Sequence, residues 1–251
     1  AVCAVLIANG TDPFLATLIA TAAGALAGMV TAVLNVHLRI MDLLASILMM
    51  IALYSINLRI MGRPNIPLIM EPTMFSILQP EWLADYIARP LILLVIVLLA
   101  KFLLDAYFST RQGLAIRATG SNPRMSRAQG VNTGAMVILG MAISNALVGL
   151  AGALFVQTQG GADISMGIGT IVIGLAAVII GESIIPARRI VYLTLAVVIG
   201  AVIYRFFIAL ALNSDFIGLQ AQDLNLITAV LVVIALVIPL LKQRLTRRRQ
   251  I

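Results

Sequence analysis

The sequence predicts an all-α fold, a polytopic transmembrane bundle of about seven to eight helical segments. Of the 251 residues, 61% are hydrophobic and 11% are charged, with a mean hydropathy of +1.08, whereas soluble domains carry about a quarter charged residues. The apolar residues also collect into runs of about 20, the length at which a helix crosses a bilayer. Barrel strands would be about half as long and would alternate polar with apolar residues.

The apolar runs predict one transmembrane domain over residues 1–251. Residues 1–8 are apolar as well, and the chain opens with Ala1 rather than Met. We therefore expect residues 1–8 to be the end of a further segment, so that the native N-terminal helix is incomplete. The main runs lie at residues 14–35, 40–58, 90–108, 135–156, 168–185, 190–212 and 224–241.

The net charge of +7 follows the loops between these runs, which argues against a nucleic-acid surface. If the loop at 109–134 is cytoplasmic, alternation of the runs leaves Arg59, Arg63 and Arg89 outside. The remaining loop cations then lie inside, the asymmetry typical of inner-membrane proteins, and the C-terminus is cytoplasmic too. The inner set is Arg39, Arg111, Arg117, Arg124, Arg127, Arg188, Arg189, Lys242, Arg244, Arg247, Arg248 and Arg249.

The long outer loop, residues 59–89, contains four prolines, so no single helix crosses it. Its end, PEWLADYIA, places Pro80 at a favourable first helical position and Trp82 and Tyr86 on one face. This pattern indicates a short helix at the membrane interface. A platform for an extracytoplasmic partner is the alternative interpretation.

Small residues at four-residue spacing predict close helix packing in two of the runs. They are Ala20, Gly24 and Gly28 in the run at 14–35, and Asn145, Gly149 and Ala153 in the run at 135–156. The Asn145 carboxamide needs hydrogen-bond partners in hydrocarbon. Either it lines a polar pathway or it joins two helices.

Residues 157–186 form a glycine-punctuated segment whose uncharged apolar core, 168–181, is short for a full crossing. We therefore expect a broken or re-entrant helix here. Interrupted helices line the solute path in transporters, so this segment is a candidate gate. Arg205, in the middle of a later run, indicates a charged partner or a water-filled cavity. In the run at 90–108, we expect Lys101 and Asp105 to neutralise each other. The candidate pathway residues are Asn145, Gln157, Asp163, Gly167, Gly169, Glu182 and Arg205.

Cys3 and His37 are the only residues of their types, so one chain cannot form a disulfide or a Cys/His metal site. The chain contains no phosphate loop, HExxH or Gly-x-Ser-x-Gly sequence. It therefore predicts no catalytic residue, no cofactor of its own and no enzyme activity. Two functions remain: a transport subunit powered by another protein, or a secondary carrier or channel driven by an ion gradient.

The basic loop at 109–134 contains the start and stop signals of a short helix. Asn122 is a good cap, Pro123 suits the first helical position and Gly130 suits the end. We expect Gly113 and Gly120 to break the approach to this helix. Because two turns are marginal in water, the helix should dock on a partner, and Arg117, Arg124 and Arg127 offer charge-assisted contacts to carboxylates.

The stretch RATGSNPRMSRAQGVN resembles the cytoplasmic signature of permease subunits of ATP-binding-cassette (ABC) importers, in the family serving branched-chain amino acids and sugars such as ribose. ISNALVGLAGALFVQTQGG and GLAAVIIGES are similar to the next two segments of that family, so the resemblance covers most of 111–185. SIIPARR stands where sugar permeases often have a Gly-rich run, which favours amino acids.

The resemblance implies an alternating-access pathway subunit that acts with a second permease copy, two ATPase subunits and an extracytoplasmic solute-binding protein. ATP would be bound by those ATPase subunits and not by this chain. The short helix at 123–129 would be the coupling helix that the ATPase moves. The residues implied for ATPase coupling are Arg117, Ala118, Gly120, Asn122, Pro123, Arg124, Arg127 and Gly130.

Overall fold

The computed structural model describes residues 1–79, 85–167, 170–185 and 189–213. Over these residues the chain is almost entirely helical, which confirms the predicted all-α fold. The helices are α1 (Val2–Ala8), α2 (Pro13–Val36), α3 (Asp42–Met61), α4 (Met74–Leu78), α5 (Asp85–Ser109), α6 (Arg111–Ser121), α7 (Pro123–Ala128), α8 (Thr133–Gln159), α9 (Thr170–Ile184) and α10 (Ile190–Asn213). Two three-residue strands, β1 (Asn65–Pro67) and β2 (Gly161–Asp163), complete the described elements.

Five of the described helices are long and apolar enough to cross a membrane, so the chain is a multi-pass membrane protein. They are Pro13–Val36, Asp42–Met61, Tyr86–Ser109, Thr133–Gln159 and Ile190–Leu210. Helix α9 has 15 residues, or about 22 Å of helix against a hydrocarbon core of about 30 Å. A broken or re-entrant helix in this segment stays a prediction, and the predicted run at 224–241 lies outside the described residues.

The chain forms two compact units, Ala1–Met166 and the part from Gly167 onward. In the first unit, the most extensive helix contact joins α2 to α8. A Cβ atom on Gly24 would lie 2.5 Å from the Asn145 carbonyl oxygen, and one on Gly149 would lie 2.8 Å from that of Ala20. The two small-residue faces predicted from sequence therefore pack against each other, antiparallel and nearly backbone to backbone. We call this contact the α2–α8 seam.

One end of the first unit, which we call the strand end, carries β1, β2, α4 and the last turn of α8. The strands pair antiparallel, with Ile66 opposite Ala162, and the Leu68 amide donates to the Gly160 carbonyl at 2.8 Å. Ile66, Leu68 and Ala162 are buried in a cluster with residues of α1, α2 and α8. The outer loop is thus fastened to the segment that follows α8.

The opposite end, which we call the α7 end, carries the end of α2, the start of α8, and helices α6 and α7. Val36 of α2 meets Gly134 of α8 there, since a Cβ on Gly134 would lie 2.9 Å from Val36 Cγ1. Ile116 of α6 lies against Gly140 of α8, with a corresponding distance of 3.5 Å. Helices α6 and α7 are therefore held beside the first turns of α8.

In the second unit, α9 and α10 also meet through small residues. A Cβ on Gly181 would lie 2.1 Å from the Ala196 carbonyl oxygen, and one on Gly200 would lie 2.1 Å from that of Ala177. Gly181 is one of the glycines of the glycine-punctuated segment at 157–186, where we expected a broken helix. It lies inside α9 at this contact and does not interrupt the helix. Gly174 of the same helix has open space where a Cβ would be.

Two further expectations have clear outcomes. Tyr86, predicted to lie on a short interfacial helix, belongs instead to the first turn of the long helix α5, while Pro80 and Trp82 lie outside the described residues. Lys101 and Asp105 form a buried ion pair with Nζ and Oδ2 2.5 Å apart, as predicted. Their four-residue spacing brings the two charges together on one helix face.

Candidate functional site

The two-turn helix α7 at the α7 end is the feature most suited to binding a partner. Asn122 caps it, since its Oδ1 accepts from the Met125 amide at 3.0 Å, and Pro123 is its first residue. After Ala128 the chain turns at Gly130 with φ +79. The amides of Gly130 and Val131 donate back to the carbonyls of Arg127 and Ser126, which is the Schellman ending. The predicted cap and stop of this helix are confirmed.

The approach to α7 is itself helical, which corrects the expectation that Gly113 and Gly120 break it. Both glycines lie inside α6. Gly113 is required because the turn from α5 into α6 is tight: a Cβ there would lie 2.3 Å from the Tyr107 carbonyl oxygen. Thr110 caps α6, accepting from the Gly113 amide at 3.3 Å. The loop at 109–134 is thus a compact pair of capped helices.

Five of the six residues of α7 are exposed. Ser126 is its only buried residue, and Met125 is 63% exposed. Arg124 of α7 is exposed as well, and so are Arg117 and Ala118 of the neighbouring helix α6. The exposed part combines two guanidinium groups with one apolar side chain, the mixed chemistry expected of a protein-docking surface rather than of a solvated loop.

Arg127 differs from its neighbours, because its Nη2 donates to Thr133 Oγ1 at 3.1 Å. Thr133 is the first residue of α8, whose cap is Asn132. This bond joins α7 to the start of a membrane-spanning helix. Thr133 was not among the predicted residues, because no spacing rule links a side chain of α7 to the start of α8.

The pathway candidates of the first unit are engaged in hydrogen bonds of their own. Gln157 is 3% exposed, and its Oε1 accepts from the Met74 amide at 2.8 Å. Its Nε2 donates to Thr17 Oγ1 at 2.8 Å and to the Ala153 carbonyl at 3.3 Å. The side chain therefore ties α8 to α2 and α4, and its assignment to a pathway stays a prediction.

Asn145 lies in the α2–α8 seam. Its Nδ2 donates to the Met141 carbonyl at 3.0 Å and is one of the atoms that a Cβ on Gly28 would meet, at 2.8 Å. This hydrogen bond lies within α8, so the two interpretations left open by the sequence both stay predictions. A glycine on α2 makes room for the carboxamide that faces it.

Asp163 ends β2 and accepts hydrogen bonds from both the amide and the hydroxyl of Ser165. These bonds lower the pKa of the Asp163 carboxyl below its ordinary value, so the group is ionised at neutral pH. In the second unit, Glu182 and Arg205 are exposed on α9 and α10. Gly167 precedes α9 and its carbonyl accepts from Thr170, while Gly169 lies outside the described residues.

A sequence profile of one protein family, described as "Branched-chain amino acid transport system / permease component", matches residues 1–240. The chain belongs to this family. This permease is 39% identical over 225 residues to the tyrosine transport system permease protein of Clostridioides difficile (strain R20291). That alignment covers 90% of this permease and 72% of the relative.

An uncharacterized protein of Rickettsia prowazekii (strain Madrid E) is 34% identical to this permease over 228 residues, which are 89% of the permease and 78% of the relative. No solved structure matches this permease. The family confirms the resemblance found in the sequence, an amino-acid-type permease component of an ABC transport system. The chain is therefore a transport subunit.

Proposed function

We propose that this permease forms the solute pathway of an ABC importer for an amino acid and that separate ATPase subunits drive it through α7. The observation that carries the proposal is the capped, exposed helix α7 beside the first turn of α8. A helix this short is marginal alone in water and α7 buries only Ser126, so docking on a partner would add to the order that its caps supply. The ATPase subunits bind the ATP, and a solute-binding protein delivers the solute at the strand end.

The orientation follows from charge. At the α7 end lie Arg39, Arg111, Arg117, Arg124 and Arg127 with Asp42, whereas at the strand end Arg59, Arg63 and Arg89 are accompanied by Asp12 and Glu71. The positive-inside bias makes the α7 end cytoplasmic, which is where ATP is available. A tag placed next to Gly120 should be accessible in inside-out but not right-side-out vesicles.

The solute is proposed to be an amino acid with an aromatic side chain, because the relative with 39% identity is a tyrosine transport system permease. A second permease copy would complete the pathway, since each alternating-access pathway needs two facing halves. Competition of unlabelled tyrosine, leucine and ribose with labelled tyrosine uptake would decide the substrate class.

Charge reversal at α7 should release the ATPase. Arg117→Glu with Arg124→Glu replaces two exposed cations by anions, and like charges facing a partner's carboxylates cost several kcal/mol. We expect at least about tenfold less ATPase to copurify with the double variant than with the wild-type chain. Arg63→Glu, an equally exposed reversal at the strand end, is the matched control, and equal retention by all three proteins would refute the docking role.

We propose that Glu182 and Arg205 of the second unit face the solute path, with Gly167 and Gly169 leading into it. A charged side chain facing lipid inside a span is costly, and Arg205 lies within the span Ile190–Leu210, so water or a partner at this side chain would remove that cost. With Cys3→Ser as background, Glu182→Cys and Arg205→Cys should react with a water-soluble thiol reagent and respond to ATP. Ile51→Cys, exposed on α3, should stay unreactive, and protection at all three positions would contradict the proposal.

A further inference from the structure

The strand end contains a buried hydrogen bond that joins the outer loop to α8, the membrane-spanning helix that begins beside α7. Met74 is the first residue of α4, and its amide donates to Gln157 Oε1 of α8 at 2.8 Å. Thr73 and Ser76 satisfy each other's amides through a capping box. Gln157 thus supplies from another helix a cap acceptor for the first amide of α4.

Gln157 is held rigidly in position to do this. Its amide nitrogen is fixed by Thr17 Oγ1 and by the Ala153 carbonyl, and Thr17 in turn donates to the Pro13 carbonyl at 2.8 Å. Met74 and Phe75 are buried against Leu154, one turn before Gln157. Removing the carboxamide would leave a buried amide without an acceptor while the apolar packing of α4 stays in place.

A continuous series of fixed contacts leads from α7 to this bond. Arg127 joins α7 to Thr133 at the start of α8, and the 27 residues of α8 span about 40 Å. Gln157 lies in the last turn of the same helix. A displacement of α7 is therefore delivered to the strand end by one rigid element.

The loop that receives this displacement ends in an exposed apolar tip. Ile69 and Met70, between β1 and α4, are 84% and 95% exposed. The β1–β2 pairing holds the loop on one side of this tip, and the Gln157–Met74 bond holds it on the other. Both anchors belong to α8 or to the residues immediately after it.

We propose that Gln157 is a positioning residue that fastens the outer loop to α8, so that ATPase-driven movement of α7 and binding of the solute-binding protein at the strand end are coupled. This inference rests on the proposed function. It predicts that loss of the bond uncouples the two ends of the permease although the solute path itself is unchanged. Such coupling is reciprocal, so it is measurable from either end.

The test uses the complete importer, permease with ATPase and solute-binding protein, in lipid vesicles. The readout is the ratio of ATP hydrolysis with loaded binding protein to hydrolysis without it. Gln157→Leu keeps the side-chain size and removes the acceptor, and we expect the ratio to fall about fivefold or more. Gln159→Leu, two residues further on and exposed, is the matched control and should keep the wild-type ratio.

Met74→Pro breaks the same bond from the other side. Proline removes the amide hydrogen together with most of the Met74 side chain, and it suits the first position of a helix. Thr73 already has the extended backbone that precedes proline, with φ −105 and ψ 162. We expect the same fall in the ratio, without further loss when Met74→Pro is combined with Gln157→Leu. Met74→Ala, which loses the side chain and keeps the amide, should retain the ratio.

The possible outcomes separate the two levels of the account. If the wild-type importer responds to its binding protein and either bond-breaking variant keeps the full ratio, this inference is overturned while the proposed function stands. A lowered melting temperature with an unchanged ratio shows a purely structural bond and also overturns it. A wild-type chain that binds no ATPase overturns the proposed function first.

Discussion

Gly149→Ala should destabilise the permease although it adds only one methyl group. The new Cβ would lie 2.8 Å from the Ala20 carbonyl oxygen and 3.3 Å from the Cα atoms of Thr21 and Gly24. These are backbone atoms, so relief requires α2 and α8 to separate along the seam. Overpacking of a tight contact costs about 1–3 kcal/mol, and we expect a lower melting temperature in detergent and less folded protein in membranes.

The matched control lies three residues along the same helix. A Cβ on Gly152 would meet nothing within 4 Å, and alanine is a better helix former than glycine by about 1 kcal/mol. Gly152→Ala should therefore leave the melting temperature unchanged or raise it. Equal effects of the two substitutions would mean that the α2–α8 seam does not govern stability.

Gly130→Val should abolish most ATP-driven transport while leaving the membrane helices intact. Gly130 ends α7 with φ +79, and a left-handed backbone costs an ordinary residue about 1–2 kcal/mol, more for a β-branched one. In a helix of six residues that strain is comparable to the stability of the helix. The population of ordered α7 should fall about fivefold to thirtyfold, and ATP-driven uptake should fall with it.

Gly10→Val is the matched control, because it introduces the same backbone strain at the strand end. Gly10 has φ +81, and the amides of Gly10 and Thr11 donate to the carbonyls of Ile7 and Leu6, the same helix ending as at α7. The control should lose a similar amount of stability and retain ATP hydrolysis coupled to uptake. A comparable loss of uptake in both variants would show that α7 has no special role.

The sequence predicted the parts of this fold that depend on local chemistry. Bilayer-length apolar runs located the spans, and Asn122, Pro123 and Gly130 located α7 because caps and stops act within a few residues. The small faces of α2 and α8 were predicted to pack closely, but spacing alone cannot name the partner of each face. The same limit applies to α9 and α10, whose contact joins two such faces, Ala177 with Gly181 and Ala196 with Gly200, each pair at four-residue spacing.

One expectation about the loop at 109–134 was wrong for a physical reason. Gly113 and Gly120 were read as helix breakers, yet a tight turn and a following helix outweigh the modest helix cost of glycine. Gln157 was predicted to line a solute path because it begins the glycine-punctuated segment at 157–186, and that role stays a prediction, but the hydrogen-bond partners of its carboxamide could not be predicted. Those partners, Thr17 and the Met74 amide, lie far away in sequence and become visible only when the helices are assembled.

Solute uptake by vesicles tests most directly whether α7 connects this permease to a separate ATPase. Vesicles are prepared with the chain alone, with the chain and ATPase, and with the chain, ATPase and solute-binding protein, and labelled tyrosine is followed with and without ATP. We predict uptake only in the complete set with ATP, with little uptake by the Gly130→Val variant. Uptake by the chain alone under a proton or sodium gradient, equal in the wild type and in that variant, would contradict the account and identify a secondary carrier.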